Sequence, residues 1–150
     1  MRRNAPGFDP RLFLRDEELD YGIALVMAGE RALMTGVSDI AKDLNIPELA
    51  ARTLIALRFQ KGQTVSGLKD QLGATTPTFA RIIGDLSKRG LIQRDKSEVD
   101  GRKRVLSLST EGKRVTDPAT LLMRDALRDA YRKAGASAVA GARSVLEALV

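Results

Sequence analysis

The segment from Thr64 to Leu108 constrains the fold most, because two helix patterns separated by a short turn are followed at once by two strand patterns. The first helix is short, and Ser66 is its predicted N-cap. The second is capped by Thr75 or Thr76 and has Pro77 in its first turn. Its predicted inner face is apolar and consists of Phe79, Ile82, Ile83 and Leu86.

The two strand patterns that follow predict a β-hairpin, with strands at Leu91–Asp95 and Lys103–Leu108. Leu106 and Leu108 fall on one face of the second strand, as a half-buried strand requires. Helix, turn, helix, strand, basic loop and strand is the order of a winged helix-turn-helix. The predicted fold class is therefore mainly α with a small β-hairpin wing.

Helices are also predicted on both sides of this unit. A first helix, roughly Glu17–Thr35, follows an N-terminal arm, and Val37–Leu44 is ambiguous between a helical turn and a loop. Pro47 marks the start of another helix. After the hairpin, Ser109 and Thr110 cap a last helical region. Within it, Asp117-Pro118 predicts a kink or a restart, because proline lacks a backbone donor and clashes with the preceding turn.

Positive charge is concentrated around the predicted hairpin. The whole chain has a net charge of +6, and residues 61–104 contain ten lysines and arginines against five aspartates and glutamates, a net charge of +5. A charge set that served only solubility would have no reason to concentrate in this way. An α-helix fits the major groove of DNA, and a basic hairpin tip beside it can reach the neighbouring minor groove. The pattern therefore favours duplex DNA as the partner.

Two residue types are missing from the sequence, and their absence limits the metal sites, covalent cross-links and catalytic groups that the chain can form. The chain contains no cysteine and no histidine. Disulfides and thiolate zinc sites are therefore excluded, and the commonest metal ligand and general base are missing. We predict no metal, no cofactor and no enzymatic activity. The longest apolar runs are too short to cross a membrane and no signal-peptide pattern follows Met1, so a cytoplasmic location is expected.

Residues Thr64–Lys113 resemble the MarR family of bacterial transcriptional regulators. The most specific part is the family's Asp-x-Arg motif in the wing, which matches Asp100-Gly101-Arg102. A strand follows, and then the family's Leu-Ser/Thr-x-x-Gly type of entry to the next helix, seen here as Leu108–Gly112. The resemblance implies that Arg102 enters the minor groove, that Asp100 braces the wing, and that the residues from Thr76 to Arg81 begin a recognition helix facing DNA.

The candidate DNA contacts form two groups. The recognition-helix group consists of Thr75, Thr76, Pro77, Thr78 and Arg81, and the wing group consists of Lys96, Asp100, Arg102, Lys103 and Arg104. Simpler explanations stay open for some of them. Arg81 could pair with Asp85, four residues on, and Arg102 could pair with Asp100. Lys88 and Arg89 lie near a helix C-terminus, where cations are favourable without any ligand.

The resemblance also implies a homodimer in which the first and last helices, Glu17–Thr35 and Asp117–Val150, form the dimer arm. The chain would then comprise an N-terminal arm and dimerisation helix (1–36), a DNA-binding lobe (37–109) and C-terminal dimerisation helices (110–150). Family members often bind small amphipathic or aromatic acids between arm and lobe, which weakens their affinity for DNA. Candidate pocket residues are Tyr21, Thr53, Arg58 and Tyr131, although the tyrosines also fit a dimer core.

The predicted function is a transcriptional regulator that binds a pseudo-palindromic duplex operator as a homodimer, most simply a repressor released by a small ligand. Two alternatives stay open. An architectural DNA-binding protein of the nucleoid type would bind random duplex nearly as tightly as a specific site. A winged helix that contacts an acidic protein would not bind duplex DNA. Affinity for a specific palindrome compared with random duplex separates these possibilities.

Overall fold

The computed structural model describes residues 15–96 and 104–150, except for the side chain of Lys96. Most of these residues are helical, with one small sheet, which confirms the predicted fold class. In chain order the elements are α1 Asp16–Leu33, a 3-10 helix Met34–Gly36, α2 Val37–Asp43, α3 Glu48–Phe59, β1 Gln63–Thr64, α4 Val65–Gln71, α5 Thr76–Lys88, β2 Ile92–Lys96, β3 Arg104–Leu108, α6 Thr110–Ala134 and α7 Ala136–Leu149.

The chain divides into two compact units, Met1–Ala32 and Leu33–Val150. In the first unit, α1 opens with three acidic residues that suit the positive end of the helix dipole. Its apolar side chains are exposed, namely Leu19, Tyr21, Ile23, Leu25, Val26 and Met27. Across the described residues, every helix falls short of the length and apolarity needed to span a membrane.

The second unit has one core, to which helices and sheet contribute together. Leu54 on α3, Leu68 on α4, Leu86 on α5 and Leu106 on β3 are each completely buried. Full burial of such a side chain stabilises a fold by roughly 1.5–3 kcal/mol. Because these four leucines belong to one cluster, α5 and the hairpin are held against the same core.

The sheet has three antiparallel strands in the order β1-β3-β2. Strand β2 pairs with β3 from Ile92 opposite Leu108 to Lys96 opposite Arg104. Strand β1 adds two pairs on the other edge of β3, including Thr64 opposite Val105. The hairpin is as the sequence predicted, whereas β1 was missed because two residues carry no repeating pattern.

Three local predictions are settled or corrected by the structure. The ambiguous segment after Gly36 is the helix α2. The N-cap of α4 is Thr64, whose hydroxyl accepts the backbone N–H of Gly67 at 3.1 Å, so the assignment of Ser66 is wrong. Of the kink or restart predicted at Pro118, the restart is wrong, because α6 is a single helix. Its buried neighbours Thr116, Ala119 and Thr120 hold it against the core on both sides of the proline.

Candidate nucleic-acid interface

Helix α5 separates apolar from polar residues cleanly. Its four predicted inner residues are all buried, Phe79, Ile82, Ile83 and Leu86. On the opposite side, Thr75, Thr76, Pro77 and Arg81 are exposed and Thr78 is half-buried. The core therefore fixes the rotation of α5 about its axis, so that the predicted recognition residues face outward.

The turn before α5 brings α4 and α5 together as a helix-turn-helix. Only residues 72–75 separate the two helices. Gly73 has a φ of +63°, a left-handed conformation that glycine adopts without steric cost. The backbone N–H of Ala74 donates to the carbonyl of Lys69 at 3.1 Å and closes the end of α4. This turn sets the direction in which α5 leaves α4.

Thr75 occupies the N-cap position of α5, as one of the two predicted alternatives. Its hydroxyl does not accept a backbone N–H, and donates instead to the hydroxyl of Thr78 at 3.0 Å. The first turn of α5 thus receives no side-chain cap from Thr75, and it carries the positive end of the helix dipole. Such a helix end can bind a phosphate oxygen.

Arg81 has no ion pair among residues 15–96 and 104–150. The alternative partner, Asp85, is bound by Arg89, whose Nε donates to Oδ2 of the carboxylate at 2.9 Å. The predicted competition between Asp85 and DNA for Arg81 is therefore absent from the described part of the chain. Arg81 is exposed on the outer face of α5, where its guanidinium group is accessible to a ligand.

Arg89 and its neighbour Lys88 differ in their contacts. A second guanidinium nitrogen of Arg89, Nη1, donates to the carbonyl oxygen of Leu44 at 2.8 Å, which ties the end of α5 to the end of α2. Arg89 is thus a structural residue. Lys88 is exposed and, in the described part of the chain, forms no ion pair, so it stays a candidate for phosphate contact.

The wing is described up to its tip. Arg94 on β2 and Arg104 on β3 are both exposed, and Arg104 lies opposite Lys96 where β2 and β3 end. Like charges at directly opposed positions repel each other, and an anion would relieve that repulsion. The predicted tip contacts Asp100, Arg102 and Lys103 lie outside the described residues, as does the side chain of Lys96.

A polar contact that the sequence analysis missed braces the described part of the wing. The hydroxyl of Ser107 on β3 donates a hydrogen bond to Oδ2 of Asp95 on β2. Gln93 lies directly opposite Ser107 in the register, and its amide is 3.4 Å from both oxygens of the same carboxylate. Alternation in the strand pattern could have identified this contact, because residues 93 and 95 share one face.

The base of the wing is joined to α5 and α6 through Ser109. Its hydroxyl accepts the backbone N–H of Gly112 at 2.9 Å, which confirms the predicted N-cap of α6. The same hydroxyl donates to the carbonyl of Gly90 at 2.6 Å, at the end of α5. The backbone N–H of Ser109 donates to the carbonyl of Leu91 at 3.0 Å. The end of α5, the base of the wing and the start of α6 therefore meet at one hydrogen-bonded joint.

The four candidate ligand-pocket residues occupy different environments. Thr53 is completely buried and its hydroxyl donates to the carbonyl of Leu49 at 2.7 Å, whereas Arg58 is paired with Asp117. Tyr131 lies in a surface groove along α6 lined by Arg124, Leu127, Arg128, Tyr131 and Arg132. Tyr21 is exposed on α1. Neither Thr53 nor Arg58 lines the groove that contains Tyr131.

Comparisons with known proteins point the same way as this geometry. A sequence model of the MarR family matches residues 42–103. The chain is 32% identical to the HTH-type transcriptional regulator PetP of Rhodobacter capsulatus, over 97% of this chain and 88% of PetP.

Two solved structures share the fold. NadR in complex with 4-hydroxyphenylacetate superposes with a TM-score of 0.66 and 22% identity, over 97% of each chain. A point mutant of S. aureus MepR, bound to an oligodeoxyribonucleotide, has a TM-score of 0.51 and 19% identity, over 86% of this chain and 94% of that one.

Proposed function

Because this chain belongs to the MarR family of winged-helix transcriptional regulators, we propose that it regulates transcription by binding a pseudo-palindromic duplex operator as a homodimer. The activity is binding rather than catalysis, in keeping with the regulators that it resembles. Its place of action is the cytoplasm, where a bacterial operator lies.

The observation that carries the proposal is the outer face of α5. The exposed guanidinium of Arg81 and the first turn of α5 lie on this face, with the exposed Lys88 further along the helix. Exposed Arg104 lies on the neighbouring hairpin, which is attached to α5 through Ser109. A helix for the major groove and a basic hairpin for the flanking minor groove are thus carried by one rigid lobe.

Specific binding is tested by selecting the preferred palindrome in vitro from random duplex DNA. The affinity for that palindrome and for scrambled duplex is then measured by fluorescence anisotropy at a stated salt concentration. We expect the palindrome to bind on the order of 10³-fold more tightly, as is typical of specific regulators. Equal affinities would instead indicate an architectural protein, and no binding to either duplex would indicate a protein partner.

Dimerisation is proposed through the chain ends. In the second unit, apolar side chains remain exposed on the later part of α6 and on α7, namely Leu121, Leu122, Leu127, Val145, Leu146 and Leu149. Exposed apolar surface of this kind marks a protein interface, and α1 exposes a further apolar stripe. Residues 1–36 and 110–150 would accordingly supply the dimer contacts and residues 37–109 the DNA contacts. Light scattering on the eluting protein would show two chains per particle.

Repression with release by a small ligand is the proposed mode of regulation. Support comes from the fold shared with NadR, which was solved with 4-hydroxyphenylacetate. In this chain, the groove along α6 offers a ring in Tyr131 and a guanidinium group in Arg124, a chemistry that suits an aromatic acid. Titration with 4-hydroxyphenylacetate should weaken operator binding if such an acid is the effector.

The wing contributes through Arg102 in this proposal. Arg102→Ala should weaken operator binding by roughly tenfold, about 1.4 kcal/mol, because a guanidinium group would no longer enter the minor groove. The dimer should persist, since the tip carries no part of the proposed dimer surface. Anisotropy and light scattering measure the two effects. An unchanged affinity would remove the wing from the binding mechanism.

A further inference from the structure

Helix α6 consists of two parts with different surroundings. Its first part is packed against the lobe and contains all of its buried residues, Gly112, Thr116, Ala119 and Thr120. Its second part begins at Leu121 and exposes the apolar side chains of Leu121, Leu122 and Leu127. The change from one environment to the other takes place within about one helical turn after Asp117.

Pro118 lies at this change of environment. Proline has no backbone N–H, so the carbonyl of Arg114 lacks its usual donor and the hydrogen-bond ladder of α6 has a gap. Sharp bends of helices are found at such positions. Just after the gap, Ala119 is buried, and a Cβ built on Gly36 would lie only 3.0 Å from the Cβ of Ala119. The lobe therefore holds α6 on both sides of Pro118, and the buried positions of the helix end at Thr120.

An ion pair joins the lobe to α6 beside the proline. Nη2 of Arg58, at the end of α3, donates to Oδ1 of Asp117 at 2.7 Å, across 59 residues of sequence. Many of the other ion pairs are local, such as Arg89 with Asp85 and Arg128 with Asp125. The Arg58 side chain is only 20% exposed and that of Asp117 is 52% exposed. The contact thus fixes α6 to α3 from the side.

The neighbouring cation does not compete for Asp117. Arg114, three residues before Asp117, makes two hydrogen bonds to the carboxylate of Glu111, at 2.8 and 2.6 Å. This pairing lowers the pKa of Glu111 from its ordinary value, chiefly through the hydrogen bond from Arg114. Arg58 is therefore the partner of Asp117, and the pair connects two different helices rather than two turns of one.

From this arrangement we propose that Arg58 and Asp117 form a latch that sets the angle between the DNA-binding lobe and the second part of α6. The inference rests on the proposed function, because α6 would carry the lobe relative to the dimer partner. With the latch closed, the two recognition helices of a dimer are held at one separation. Both residues are positioning residues, since neither lies on the outer face of α5 or on the wing.

The latch should affect the affinity for the full palindrome and not the affinity of each lobe for a half-site. A partly exposed ion pair adds little to global stability, so its loss leaves each lobe folded and able to bind a half-site. Binding both halves at once depends on the separation of the two lobes, because the second contact is intramolecular. Without the ion pair, α6 would be held to the lobe by the packing of its first part alone, and that separation would spread over a wider range.

The test compares wild type, Asp117→Asn, Arg58→Gln and the charge swap Arg58→Asp with Asp117→Arg. Anisotropy measures the affinity for the selected palindrome and for a duplex carrying one half-site. We expect each single variant to lower the preference for the palindrome about tenfold, with half-site affinity unchanged. The swap should recover most of that preference. Glu111→Gln is the matched control, because it removes one negative charge from the same helix and should leave the preference unchanged.

Two results would overturn the latch. One is an unchanged preference in both single variants. The other is an equal loss on palindrome and half-site together with a lowered melting temperature, which would make the pair merely structural. A wild-type protein with no preference for the palindrome would instead contradict the proposed function, and the latch with it.

A distance measurement tests the same inference without DNA. The chain has no cysteine, so Ser87→Cys on the exposed side of α5 provides a single spin-label site per subunit. Pulsed electron resonance should give one narrow distance across the wild-type dimer and a broadened or shifted distribution in Asp117→Asn. Identical distributions would show that the pair does not set the separation of the lobes.

Discussion

Gly112→Ala should destabilise the protein by about 3 kcal/mol or more, the largest stability change that we expect from a single methyl group. A Cβ at this position would lie 2.0 Å from the carbonyl oxygen of Leu91 and 3.3 Å from Cδ2 of Leu108. The oxygen belongs to the backbone and already accepts the N–H of Ser109, so it cannot move aside alone. Relief requires α6 to leave the base of the wing, which breaks the N-cap at Ser109.

Urea unfolding monitored by circular dichroism measures this effect, at equal protomer concentration because the proposed dimerisation would contribute to stability. Gly84→Ala is the matched control. It lies in α5, outside the proposed dimer contacts, and a Cβ there would meet nothing within 4 Å. Removal of a helical glycine should stabilise the protein by roughly 0.5–1 kcal/mol. If Gly112→Ala lowers the free energy of unfolding by less than about 1 kcal/mol, the contact between α6 and the base of the wing adjusts more easily than its geometry indicates.

Arg81→Ala should reduce discrimination among operator variants by about 1–3 kcal/mol at one base pair. The guanidinium of Arg81 is exposed on the outer face of α5. The carboxylate of Asp85, four residues on, accepts a hydrogen bond from Arg89 instead. A guanidinium group in this state can make two hydrogen bonds to a guanine edge. The variant should therefore tolerate substitution of that base pair, while its stability stays close to that of wild type.

Lys88→Ala is the comparison that separates base reading from phosphate contact. Lys88 lies near the other end of the same helix, is exposed and forms no ion pair within residues 15–96 and 104–150. Its loss should weaken all duplexes alike and reduce the salt dependence of binding by about one phosphate contact. If Arg81→Ala behaves in this way too, Arg81 contacts phosphate and another residue reads the sequence.

Helix α5 was predictable because several local signals agree. A threonine at the N-cap position, Pro77 in the first turn and an apolar stripe at helical spacing specify both its start and its buried face. The hairpin was predictable for the same reason, since Leu106 and Leu108 lie on either side of the polar Ser107 in β3. In both cases the signal lies within about a dozen residues, so that a one-dimensional pattern contains it.

What the sequence did not reveal depends on partners that are distant along the chain. In the sequence, Arg89 is one of several cations near a helix end. Its contact with the carbonyl of Leu44 spans 45 residues, so no local pattern indicates it. Thr53 was a candidate for a ligand pocket because its hydroxyl is polar, yet the hydroxyl is satisfied inside its own helix and the side chain is buried. The continuity of α6 through Pro118 likewise depends on tertiary packing, which overrides the local preference.

Thr64 belongs to two elements at once. Its backbone pairs with Val105 in the sheet, and its hydroxyl accepts the N–H of Gly67 at the start of α4. The hairpin and the helix-turn-helix are therefore coupled through Thr64, so that a change in the orientation of one changes the orientation of the other. On a curved or unusually stiff stretch of DNA, the spacing between the major and minor grooves would no longer match the fixed spacing between α5 and the hairpin. Intrinsic curvature would then become part of what distinguishes one genomic location from another, even at base pairs that no side chain reaches.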